Sequence, residues 1–149
     1  MSRYLFVGGE TAANPEVVQK AQELAANDKE AQFALLVPAT QVRLLLGRHE
    51  GENVEVAKRM AEDARRKFAE CGIELRTHIG PPDPEQAVTE ELAARGYDVI
   101  VISTYPARKS RWLAKKFPDK VGKRHGLPVI HVEAPPEYLL NFADLGPFL

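Results

Sequence analysis

Gly8, Gly9 and Glu10, followed by Thr11, form the first group in the sequence equipped for chemistry. Backbone N–H groups of a glycine pair, placed where a strand hands over to a helix, can meet an anion. The plainer reading is that two glycines turn the chain. Their spacing matches neither a dinucleotide fingerprint nor a P-loop. A second polar group, Ser103, Thr104, Arg108, Lys109 and Ser110, follows the apolar run Val99, Ile100, Val101, Ile102. From there to residue 124 stand eight cations, Arg108, Lys109, Arg111, Lys115, Lys116, Lys120, Lys123 and Arg124, against the single acid Asp119. Residues 108–124 therefore carry +7 in a chain whose net charge is −1, leaving −8 for the rest. Such a segment suits a charged ligand, which Arg grips in bidentate fashion and Lys as a point charge. It equally suits a solvated helix face, and a nucleic-acid surface is the third reading. Tyr105 and Trp112 nearby fall short of a stacking platform.

The remaining reactive side chains read as structural. His49, His78, His125 and His131 are scattered without metal-site spacing. Neither Ser103 nor Ser110 sits in a G-x-S-x-G elbow. Cys71 precedes Gly72 at the expected end of a helix, where the dipole disfavours a thiolate, so it reads as inert.

The elements that must hold these groups follow from periodicity. Residues 73–79 alternate apolar and polar, the period of a strand with one wet face, and Gly80-Pro81-Pro82 breaks the run. Asp83, Pro84 and Glu85 supply an N-cap, a proline in the first turn and an acid near the positive helix end, and Gly96 is placed to end that helix. Four consecutive β-branched residues at 99–102 suit a strand covered on both faces, as in a parallel sheet. Residues 4–7, 33–37 and 128–132 are the other strand candidates. Asn14-Pro15-Glu16 repeats the cap-and-proline device before a helix whose apolar face is Val17, Val18, Ala21, Leu24 and Ala25. Ala57, Met60, Ala61, Ala64 and Phe68 mark a long helix stopped at Gly72. The connection from residue 39 to 51 is long enough to suggest a functional or partner-contacting loop. A charged segment interrupted at Pro118 precedes the last strand. Strand and helix thus alternate five times, with no repeat and no low-complexity tract. Right-handed crossovers confine this pattern to doubly wound sheets, with orders 2-1-3-4-5 and 3-2-1-4-5 both open. Such sheets bind ligands beyond the carboxyl ends of their strands, where the strand order reverses.

At 149 residues the chain has the length of one domain that buries about 70% of its unfolded surface. Residues 1–133 form the expected α/β domain. Residues 134–149, with Tyr138, Leu139, Leu140, Phe142, Leu145, Phe148 and Leu149, form an apolar extension expected to pack on the domain or on a partner subunit. One cysteine cannot form an intramolecular disulfide, and no charged-then-apolar leader precedes residue 3, so the expected location is cytoplasmic. No apolar run approaches the length needed to span a bilayer.

Taken together, the early strand with its glycine pair, the long second helix, Gly80 with the Pro-flanked cap at Asp83, Gly96-Tyr97-Asp98 before the fourth strand, and Arg124-His125 before Pro128-Val129 resemble the universal stress protein family over residues 3–132. The resemblance implies a Rossmann-like α/β fold: a single doubly wound, five-stranded parallel sheet of order 3-2-1-4-5 with helices on both faces. It also implies a homodimer through the last strand, and in one branch an adenine nucleotide between the first and fourth strands. That branch carries a glycine, two residues, a second glycine, nine residues, then a glycine and a Ser or Thr, because only backbone without Cβ wraps a phosphate. Here Ser103 stands at the first glycine, Pro106 at the second and Phe117-Pro118 near the last, while Gly8 replaces an acid. Loss of two or three charge-assisted contacts lowers ATP affinity by about a hundredfold or more. The chain therefore reads as a binding or regulatory module in stress response, without tight ATP or AMP binding. Its expected ligand site is Gly8, Gly9, Glu10, Thr40, Ser103, Thr104, Arg108, Lys109 and Ser110, suited to a small anionic ligand. In that site the two glycines offer backbone donors, the hydroxyls orient a polar ligand and the cations meet its charge. The alternatives are an adenine nucleotide-binding protein or nucleotide hydrolase using Glu10 in the same crevice, and RNA binding through residues 108–124.

Overall fold

The computed structural model describes residues 2–39, 50–105 and 116–135, with side chains in the second helix from residue 54 onward. The connection from residue 40 to 49, residues 106–115 and the tail from residue 136 lie outside the described residues. The elements are β1 (Arg3–Val7), a one-turn 3-10 helix (Glu10–Ala13), α1 (Pro15–Asn27), β2 (Gln32–Pro38), α2 (Glu50–Glu70), β3 (Leu75–Gly80), α3 (Pro84–Ala94), β4 (Val99–Thr104), α4 (Phe117–His125) and β5 (Val129–Glu133). All neighbouring strands pair in parallel, in the order β3-β2-β1-β4-β5. Among the described residues no helix is long and apolar enough to cross a membrane.

The central strands are apolar on both faces because each face is covered by helices. On one face Tyr4, Phe6, Phe33, Leu35, Val37 and Val101 pack against Val17 and Ala21 of α1 and Ala57, Ala61, Ala64 and Phe68 of α2. Phe6 meets Phe68 edge-on with ring centroids 5.6 Å apart, and Tyr4 stacks on Phe33 at 5.5 Å. Such aromatic pairs contribute about 0.5–1.5 kcal/mol each beyond their buried area. On the other face Leu5, Val7, Leu36, Ile100 and Ile102 pack against Ala87 and Val88 of α3 and Phe117 and Val121 of α4. A Cβ on Gly80 would stand 2.7 Å from the Cβ of Ala87, so glycine at that position is what lets α3 lie close to the sheet.

Both expected N-caps form. Asn14 Oδ1 accepts from the amides of Glu16 and Val17, and an Asp83 carboxylate oxygen accepts from that of Gln86. Several element ends differ from the sequence reading. Ile73 belongs to the cap of α2: Gly72 adopts φ +78°, and the Ile73 amide returns to Phe68 O at 3.0 Å, so β3 starts only at Leu75. Gly96 plays no left-handed capping role, since α3 ends in extended backbone at Arg95, whose amide bonds Glu91 O. Pro118 occupies the first turn of α4, where a missing N–H costs nothing, and the charged segment before it lies largely outside the described residues. β4 runs two residues beyond Ile102, since β5 pairs with it as far as Thr104 opposite Glu133.

A polar tie was not anticipated. Glu91, only 6% exposed, accepts from Arg95 Nη1 at 3.1 Å and from the Tyr97 hydroxyl at 2.7 Å, with His78 Nε2 4.0 Å away. Burial first, then the hydrogen bond to Glu91, holds the Tyr97 phenol well above its ordinary value. The tie fastens α3 to β3 and to the turn entering β4.

Candidate functional site

With order β3-β2-β1-β4-β5, the sheet reverses between β1 and β4, and the crevice beyond their carboxyl ends is where a doubly wound fold receives a ligand. Gly8, Gly9, Glu10, Ser103 and Thr104 all converge there. Thr40, Arg108, Lys109 and Ser110 lie outside the described residues.

Several of the described groups at this crevice bond one another. The Gly8 amide, expected to face a ligand, instead donates to Leu36 O at 3.2 Å, extending the β1–β2 ladder by one bond. Beyond Gly9 the 3-10 helix tucks Thr11, Ala12 and Ala13 beneath α2. Ala12 N bonds Gly9 O and Asn14 N bonds Thr11 O, both at 3.1 Å. The Asn14 amide group, fully buried, donates to Thr11 O at 2.8 Å. Thr11 Oγ1 donates to Ser103 Oγ at 3.0 Å, and Ser103 Oγ donates in turn toward Val7 O at 3.5 Å. The Ser103 hydroxyl thus has its proton and an acceptor site engaged within the protein, and its residue is 3% exposed. Gly8 is bound into the same arrangement, because a Cβ there would come within 2.1 Å of Ser103 Oγ. Gly9 is less constrained: its nearest neighbour would be Met60 Sδ, at 3.8 Å from an added Cβ.

Two further pairs flank the plug. The Tyr105 hydroxyl donates a short hydrogen bond to a Glu10 carboxylate oxygen. Burial pushes the Glu10 carboxyl above its usual range, with the Tyr105 hydrogen bond opposing. Thr104 lies on the opposite sheet face from Ser103, as strand alternation requires. Its Oγ1 lies 2.7 Å from His131 Nε2 of β5. A hydroxyl against an imidazole is the geometry of a nucleophile and its base. Thr104 is only 3% exposed, however, so its hydroxyl is packed inside while the His131 residue is exposed on β5. Among the described residues no group of three or more His, Cys, Asp and Glu could hold a metal ion.

Sequence reasoning placed Ser103 and Thr104 as a ligand-orienting pair beyond β4. Both are strand residues whose hydroxyls point to opposite faces and bond protein partners. Thr11, Tyr105 and His131 are the partners it missed. Thr11 adjoins the glycine pair in sequence, which was a usable signal. Nothing local announced the other two.

Compared with solved structures, the chain is similar to a protein from the universal stress protein family of Burkholderia pseudomallei, with a TM-score of 0.57 and 16% sequence identity over 88% of this chain and 95% of that one. At that identity the likeness concerns the fold. No protein-family model matches the sequence, and no curated protein matches it.

The Gly8–Ser103 approach yields a coupled pair of substitutions. Gly8→Ala is expected to cost about 1–3 kcal/mol by overpacking against Ser103, and Ser103→Ala about 1 kcal/mol by losing its hydrogen bonds. In urea unfolding the double variant should lose less than the sum by roughly 1 kcal/mol or more, since removing Oγ makes room for the new methyl. Strict additivity would mean the two positions do not meet.

Glu10 yields a pH dependence. With its folded value raised, the folded state holds this proton more firmly than the unfolded chain. That contribution is complete below the unfolded value of about 4.3 and is lost as pH rises through the folded one. Glu10→Gln has nothing to titrate there, so its stability relative to the parent should rise between about pH 4 and pH 7. Urea midpoints that track each other across that range would contradict the assignment.

Proposed function

We propose that the chain is a universal stress protein-like binding or regulatory module acting in stress response, whose β1–β4 crevice does not take the triphosphate of ATP. The observation carrying this reading is the Ser103 hydroxyl, held by Thr11 and facing Val7 O in the mouth between β1 and β4. A phosphate cradle needs successive open N–H groups and little side chain. Here the Gly8 donor is committed to Leu36 O and the 3-10 helix fills the approach. The Glu10 carboxyl, bonded by Tyr105, adds an acceptor where a phosphate would want donors. The site retains a small polar mouth formed by Gly9, Glu10 and Tyr105, which the proposed ligand set of Thr40, Arg108, Lys109 and Ser110 would complete.

Isothermal titration calorimetry of the purified chain with ATP, ADP and AMP in the presence of Mg²⁺ tests the reading. The expected result is no saturable heat in the micromolar range. A micromolar ATP isotherm would overturn it.

We further propose that the working form is a homodimer built on β5 and residues 134–149. Among the described residues β5 is the last strand of the sheet, with Val129 and Ile130 half-buried, and a strand at the edge of a sheet invites a second chain. The seven large apolar side chains of residues 138–149 follow directly. Sedimentation velocity should return twice the 16.6 kDa chain mass at tens of micromolar. A species of single-chain mass would reject the dimer.

A further inference from the structure

We propose that the outer face of α4 binds the phosphate backbone of nucleic acid without regard to base sequence. Lys116, Lys120, Lys123 and Arg124 are all exposed on or at the start of this helix. Residues 116, 120 and 123–124 recur at helical spacing on one side, three charge levels about 6 Å apart along the axis. On the other helices five cations pair with acids three or four residues away: Lys20 with Glu23, Lys58 with Glu55, Arg65 with Glu62, Lys67 with Asp63 and Arg95 with Glu91, while among the described residues Arg59 and Arg66 of α2 form no such pair. Among the described residues the four cations of α4 form no such pair, even though Asp119 lies at the right spacing from Lys116 and Lys123. An uncompensated row of cations on a chain of net charge −1 is held against the general balance of the molecule.

The composition of the face selects the partner. The apolar side of α4, Phe117, Pro118 and Val121, is buried in the protein's own core. No apolar stripe is left for insertion into a lipid surface. The exposed side offers no aromatic or aliphatic anchor of the kind that concentrates energy in protein interfaces. Three of the four cations are lysines, strongly hydrated point charges that contact phosphate without reading base edges. What this face can grip is a linear row of phosphates. It lies on the α3–α4 side of the sheet, opposite the plug formed by Thr11 and Ser103, so it functions independently of the crevice reading.

Counterion release gives the test its quantity. Four phosphate contacts on a single strand change the slope of log K against log salt by about 3. Fluorescence anisotropy would follow the full-length chain against labelled 20-mer RNA and single-stranded DNA of matched mixed sequence, from 50 to 200 mM salt. Affinity should fall steeply with salt and differ less than tenfold between RNA and DNA. The combined variant Lys116→Gln, Lys120→Gln, Lys123→Gln, Arg124→Gln should keep its circular dichroism spectrum and flatten the slope by about 3. If that variant misfolds, the pairs Lys116→Gln with Lys120→Gln and Lys123→Gln with Arg124→Gln should each flatten it by about 1.4. Absence of binding at 50 mM salt, an unchanged slope in the variants, or tighter binding of a polyglutamate peptide or of phosphatidylserine vesicles than of the oligonucleotides would overturn the proposal.

Discussion

The contact on which the ligand end of the molecule depends is the meeting of the Gly8 backbone with the Ser103 hydroxyl. β1 and β4 are hydrogen-bonded neighbours whose register sets Val7 opposite Ile102, so the next residues, 8 and 103, face each other where β1 ends while β4 continues to Thr104 beside β5. With no Cβ at residue 8, Ser103 Oγ can enter the space beside the backbone and bond both Thr11 and Val7 O. Those bonds draw the 3-10 helix down over the strand ends, and α2 closes above it.

The two faces of the sheet divide the molecule's polar business. Beneath α1 and α2 the core is rich in aromatic rings, and among the described residues its polar side chains gather at the top: Thr11, Asn14 and Ser103, with Glu10 and Tyr105. On the α3–α4 side, polar groups enter at two levels, Thr104 with His131 above and Glu91 with Arg95, Tyr97 and His78 below. Glu91 is buried, and through Tyr97 and His78 it ties α3 to the turn before β4 and to β3. Among the described residues the cations of α4 are displayed on the outside of this helical layer.

Local chemistry was legible in the sequence. The caps at Asn14 and Asp83 and the turn at Gly72 depend on neighbours within a few residues, and each formed as read. The buried strands were legible because β-branched and aromatic runs have few other uses. Strand ends were harder, because the extent of β4 is decided by its pairing with β5, and Ile73 is claimed by a helix cap that competes with the strand pattern. Pro118 marks the start of α4 because proline breaks a helix in its interior but is welcome in its first turn. The candidate site was legible as a location and not as a set of contacts. Thr11 and Ser103 lie 92 residues apart, and Glu10 and Tyr105 lie 95 apart. Which hydroxyl spends its proton on which carbonyl is settled only once the sheet has brought them together.

Asn14 carries a consequence of its own. One side chain, with no exposed surface, donates to the carbonyl of Thr11 while accepting from the first amides of α1. The plug and the helix behind it therefore share a single hinge pin. Lifting the 3-10 turn out of its seat would uncap α1 in the same movement, which makes any opening of the crevice a cooperative, sub-global event rather than the swing of a loose flap.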